Sequence, residues 1–121
     1  MRVLVIDDEE DIRAIASLSL SAVGGLDVVV ADGGASGISI AVAQMPDVVL
    51  LDYRMPEMDG LETFHALRQH PSTAGIPVIF LTGSVSPSEI EHLKQVGAKG
   101  IIGKPFDPLT LPDLLKSLMD Q

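Results

Sequence analysis

Five side chains in this sequence have types and positions that together can do chemistry. Asp7 and Asp8 follow the apolar run VLVI at 3–6, Asp52 follows VVLL at 48–51, Thr82 follows VIFL at 78–81, and Lys104, with Pro105, follows the short segment GIIG at 100–103. Taken singly, each has an ordinary structural role: an acidic pair caps a helix, a threonine satisfies a turn, a lysine lies in water. Their shared placement directly after apolar runs carries the argument. Three carboxylates drawn together repel and raise one another's pKa unless a cation lies between them, and hard oxygen donors suit Mg2+ with several waters retained. A carboxylate held at such an ion can attack a phosphoryl donor in line, while the metal and an ammonium neutralise charge on the transferred group. The product is an aspartyl phosphate. A neighbouring hydroxyl can then hydrogen-bond a phosphoryl oxygen, drawing its loop inward only when the phosphate is present.

Such a set needs a scaffold that gathers distant chain segments at one mouth. The runs at 3–6, 27–31, 48–51 and 78–81 are rich in valine, isoleucine and leucine and of strand length, and 100–102 is a shorter fifth. Near-continuous apolar runs mark strands buried on both faces of a parallel sheet. Helical spacing fills the intervals: Ile12, Ile15, Ala16, Leu20 and Val23; Ile38 and Val42; Leu61, Phe64 and Leu67; Ile90, Leu93 and Val96; Leu111, Leu114, Leu115 and Leu118. These positions are predicted to face the core. Breaks fall between them at Gly24-Gly25, 44–46, 71–77 and Gly97. Five strand–helix units predict right-handed crossovers and an open α/β sandwich with helices on both faces of a parallel sheet. One domain spanning 1–121 is expected, with its functional groups at the carboxyl ends of the strands.

Composition narrows the function. A formal charge of −9 opposes direct nucleic-acid binding, because that affinity comes mainly from Lys and Arg neutralising phosphates. No apolar run approaches the roughly 20 residues of a membrane span. Met1-Arg2 leads straight into the first apolar run without the pattern of a secretory signal, and the absence of cysteine fits a reducing compartment. A cytoplasmic location is expected. His65, His70 and His92 lack ligand spacing, and 97–104 lacks the spacing of a nucleotide phosphate loop.

Four segments resemble the receiver domain of two-component response regulators: VLVIDDEEDIR at 3–13, PDVVLLDYRMPEMDGLE at 46–62, IPVIFLTG at 76–83 and GAKGIIGKPF at 97–106. The resemblance implies a flavodoxin-like (βα)5 fold with strand order 2-1-3-4-5. It makes Asp52 the phosphoacceptor and a ligand of Mg2+, Asp8 a direct ligand, and Asp7 a second acid acting largely through a metal-bound water. The backbone carbonyl of Arg54 adds a ligand, Lys104 contacts the phosphate, and Thr82 is the switch hydroxyl. A cis Lys104–Pro105 peptide is implied as well. Met55-Pro56 shapes the acceptor loop, Gly60 frees the loop before the third helix, and Arg54 and Ser84 stand where phosphate lifetime is tuned. Gly83 either leaves the phosphoryl group open to attack or is a plain turn residue. The implied catalysis is confined to the domain's own phosphorylation and dephosphorylation. A histidine kinase or histidine phosphotransfer protein is the implied donor. The implied target is a downstream protein, a fused output domain or a phosphorylation-dependent dimer.

One position departs from the resemblance. Three residues before Lys104, where the family often carries tyrosine or phenylalanine, this chain has Ile101. An aliphatic side chain cannot carry a hydroxyl to the surface, so output is expected to run through the loop from Gly83 to Pro87 and the fourth helix, or through phosphate relay. Two other readings stand beside the receiver: a magnesium-dependent phosphohydrolase, for which no cap insertion is visible, and a constitutive binding module of the same fold.

Overall fold

The computed structural model describes residues 1–83 and 86–121. Strands β1 (Arg2–Ile6), β2 (Asp27–Ala31), β3 (Val48–Asp52), β4 (Val78–Thr82) and β5 (Gly100–Gly103) alternate with helices α1 (Glu10–Leu18), α2 (Gly34–Gln44), α3 (Gly60–Gln69), α4 (Pro87–Gln95) and α5 (Leu111–Met119). All strand pairs are parallel, and the sheet order is β2-β1-β3-β4-β5. This is the flavodoxin-like (βα)5 arrangement.

The continuous apolar runs are explained by two separate cores. Successive strand side chains point to opposite faces. Leu4, Ile6, Val49, Leu51, Val78 and Phe80 pack on one face with Ala41 of α2, Phe64 and Leu67 of α3, and Leu93 of α4. Val3, Val5, Val48, Leu50, Ile79 and Leu81 pack on the other, against Ala16 of α1 and Leu111 and Leu115 of α5. The central strands β3 and β4 are buried throughout, and the edge strand β2 is not. Because β2 and β3 flank β1, the chain reverses its direction of travel across the sheet there. A crevice opens at such a switch, beyond the strand ends. Asp7 and Asp52 leave the sheet on either side of it.

The first helical pattern corrects one expectation. The predicted run from Ile12 to Val23 is α1 followed by a π-helical turn, Ser19–Val23. The buried Ser19 hydroxyl donates to the carbonyl of Pro108. The wider turn changes the helical phase, so that Leu20 is buried whereas Val23 is exposed. Ile15 of α1 and Leu114 of α5, also predicted to face the core, are exposed as well. Among the described residues, no helix is long and apolar enough to cross a membrane.

Candidate phosphoacceptor site

The site is assembled by chain segments that stop at the same height. β1 stops at Ile6, and the next amide, that of Asp7, donates to the β2 carbonyl of Ala31 at 3.1 Å. Asp7 is fully buried, whereas Asp8 beside it is exposed. The Glu9 amide donates to Asp7 Oδ1 at 2.9 Å, turning the chain into α1. β3 ends on Asp52, which is 3% exposed, and the Tyr53 amide donates to the β4 carbonyl of Leu81 at 2.9 Å. β4 ends on the buried Thr82, whose carbonyl accepts from the Lys104 amide at 2.8 Å. The Lys104–Pro105 peptide is cis.

Carboxylate oxygens of Asp7, Asp8, Glu9 and Asp52 lie within 4.8 Å of one another. Lys104 Nζ stands among them, 2.8 Å from Asp7 Oδ2, 3.1 Å from Asp52 Oδ1 and 3.7 Å from Glu9 Oε1. Burial pushes the Asp52 carboxyl up to about 6, and the charge of Asp7 adds to the rise while Lys104 opposes it. Burial pulls the Lys104 ammonium down, but close contact with the charges of Asp7 and Asp52 prevails and leaves it raised. Lysine therefore stays protonated, and the group whose ionisation the site resists is the acceptor carboxylate.

The donor set fits a hard divalent cation. All four side chains offer oxygen, the type Mg2+ takes. Asp7 Oδ2 is buried, and the Lys104 ammonium lies 2.8 Å from it. One ammonium among four carboxylates leaves net negative charge at the mouth, which favours a further cation.

Five of the sequence-predicted residues stand at this mouth. Asp7, Asp8 and Asp52 converge, Lys104 bridges two of them, and Thr82 ends the strand beside β3. The Arg54 amide lies 3.4 Å from Asp52 Oδ1, and its side chain is exposed. Ser84 lies outside the described residues. Glu9 joins the cluster although the sequence pattern does not single it out. Its signal is its place directly after the acidic pair, before the helix can carry it away. Gly60 does something other than free a loop. A Cβ there would lie 2.3 Å from the Asp52 carbonyl oxygen and 2.7 Å from Tyr53 Cα, so its smallness lets α3 close on the acceptor strand. Asp59 and Glu62 fix that approach with a reciprocal capping box, at 2.8 and 3.1 Å. His65, His70 and His92 are exposed on or beside their helices, and His70 Nδ1 contacts the Ser72 hydroxyl at 2.8 Å.

Residues 3–116 match the family model of the response regulator receiver domain. The chain is 31% identical over 106 residues to the probable chemotaxis protein CheY of Rhizobium etli, an alignment covering 88% of this chain and 82% of that protein. It is 31% identical over 117 residues to the phosphate regulon transcriptional regulatory protein PhoB of Pseudomonas aeruginosa, covering 97% of this chain but 51% of PhoB. It spans 22% of the regulatory protein AtoC of Escherichia coli. Several relatives are thus about twice as long as the matched region or longer. Among solved structures, the chemotaxis protein CheY4 of Vibrio cholerae superposes with a TM-score of 0.89 at 34% identity, covering 97% of each chain. A response regulator from Desulfuromonas acetoxidans gives 0.87 at 27% identity, covering 98% of this chain and 96% of that one. With its sheet order, its acidic mouth and these matches, the chain belongs to the response regulator receiver domain family, the phosphoacceptor domains of two-component signalling.

Proposed function

We propose that residues 1–121 form one receiver domain that accepts a phosphoryl group on Asp52 from a histidine kinase or histidine phosphotransfer protein. The observation that carries this reading is the convergence of four carboxylates within 4.8 Å around a lysine 3.1 Å from Asp52. Asp7, Asp8, Asp52 and the main-chain carbonyl of Arg54 would hold Mg2+. When bound, the ion supplies positive charge to the oxygens of the transferring group.

An ionised Asp52 oxygen attacks phosphorus. The O–P bond forms as the P–N bond to the donor imidazole breaks, and the departing nitrogen is reprotonated from solvent. Lys104 offers its ammonium to a phosphoryl oxygen, with Asp7 holding it in place. Thr82 donates its hydroxyl to another phosphoryl oxygen and carries the adjoining loop with it. Residues 84 and 85 of that loop lie outside the described residues. Ile101 is half-buried beside Phe80, its partner in the β4–β5 register, and can carry no hydroxyl outward. We therefore assign output to the loop after Thr82 and to α4, acting on a downstream protein, a fused output domain or a second copy. We place the domain in the cytoplasm, in keeping with its lack of cysteine.

The test is intact mass after incubation with a small acyl phosphate, with and without Mg2+. One added phosphoryl group is expected in wild type with Mg2+, and none in Asp52→Asn or in chelator. An adduct retained by folded Asp52→Asn would overturn the assignment of the acceptor.

A further inference from the structure

We propose that Arg13 is a positioning residue for the acidic pair, acting through the peptide that joins Asp7 to Asp8. The inference rests on the cation site described above and deepens it.

The need for such a residue follows from where β1 stops. Both parallel ladders of β1 end at Ile6, opposite Ala31 of β2 and Leu51 of β3. The Asp7 amide still reaches Ala31, but its carbonyl lies past the ladder in a residue with no solvent exposure. A buried carbonyl without a donor is costly, and the ladders that would supply one have ended. Arg13 supplies it instead: its Nη1 donates to the Asp7 carbonyl at 2.9 Å.

The geometry of α1 makes this reach available. The Arg13 amide donates to the Glu9 carbonyl at 3.1 Å, which seats Arg13 one turn beyond the chain reversal. Its half-buried side chain folds back toward the strand end. The Glu9 amide holds Asp7 Oδ1 at 2.9 Å from the same turn. Asp7 is thereby tied at its amide, its carbonyl and one carboxylate oxygen. The carbonyl tie matters most for Asp8. A peptide group is planar, so fixing the Asp7 carbonyl fixes the plane from which Asp8 departs. Asp8 is exposed, so packing constrains it less than the fully buried Asp7. Groups that orient ligands in this way commonly change metal affinity about 10- to 100-fold when removed.

Charge and positioning predict opposite signs. Removing a guanidinium from the neighbourhood of four carboxylates should, by Coulomb's law alone, strengthen binding of a divalent cation. Removing an orienting hydrogen bond should weaken it. Arg13→Met keeps most of the apolar stem and deletes the donor, and Arg13→Lys keeps both a charge and a donor.

The experiment is Mg2+ titration followed by calorimetry and by the emission of Tyr53, the one tyrosine in a chain without tryptophan. Arg13→Met is expected to lose about tenfold in Mg2+ affinity, with Arg13→Lys between it and wild type. In metal-free protein the Asp8 amide resonance should move in Arg13→Met. Affinity in folded Arg13→Met equal to or tighter than wild type would overturn the inference and leave the cation site standing. If Arg13→Met fails to fold, Arg13→Gln, whose shorter side chain withdraws both the charge and the long-reach donor, takes its place, and affinity there equal to or tighter than wild type overturns the inference equally. Wild type that binds no Mg2+ would overturn the cation site and this inference together.

Discussion

Asp52 is held in a form its fold disfavours. Its carboxyl is pushed up to about 6, first by burial and then by the negative charge of Asp7, against the pull of Lys104. The sign of the consequence follows from linkage. The unfolded chain titrates this group near 3.8, so the folded protein takes up a proton between that pH and about 6. The favourable contribution is fully present below 3.8 and is lost as pH rises through about 6. Metal-free protein at about pH 7.5 therefore carries a buried charge that opposes folding. Asp52→Asn should be more stable than wild type there by about 1–2 kcal/mol, and the gap should close toward about pH 4. Urea melts in chelator at the two pH values check this. A variant less stable than wild type at the higher pH would mean that Lys104 more than offsets burial.

At the scale of elements, the acceptor loop depends on how closely α3 approaches β3. Helix propensity alone favours alanine over glycine by about 1 kcal/mol, so Gly60→Ala near the start of α3 would be read as stabilising. Packing reverses the sign. The added Cβ would meet the Asp52 carbonyl oxygen at 2.3 Å and Tyr53 Cα at 2.7 Å, both main-chain atoms that cannot swing away. A loss of about 2–3 kcal/mol is expected, read by denaturant melts, together with slower phosphorylation as the loop is displaced. Sequence pattern conveys some of this architecture and misses the rest for physical reasons. Strands buried on both faces write themselves as apolar runs, and the acids, threonine and lysine are legible because they end those runs. Val23, by contrast, matches helical spacing yet is exposed, because a π turn shifts the phase without altering residue types. Ser19 bonding to Pro108 ties residues 89 apart, and local pattern does not report such pairs. Glu9 and Arg13 are hidden for a related reason. A surface acid and a helix arginine are ordinary until the turn brings one beside Lys104 and folds the other onto the Asp7 carbonyl.

Across the whole molecule, charge is distributed unevenly. The chain has a formal charge of −9, and four of its 17 acids crowd one mouth. Two effects of Mg2+ on stability must then be separated. Screening relieves general repulsion, and any salt supplies it at equal ionic strength. Site binding adds a term that grows with occupancy, about 2.7 kcal/mol when the free ion is about 100 times its dissociation constant. For a chain of 121 residues, that corresponds to a melting-temperature rise on the order of 10 °C. Wild type should show this rise over NaCl at matched ionic strength. Asp8→Asn should lose most of the Mg2+-specific part while keeping the salt effect, because it removes one ligand and leaves the overall charge nearly unchanged. Equal rises in Mg2+ and NaCl for wild type would assign the whole response to screening and remove the cation from the site. A rise specific to Mg2+ that survives in Asp8→Asn would move the ion to other acids and leave Asp8 without its part in the mechanism.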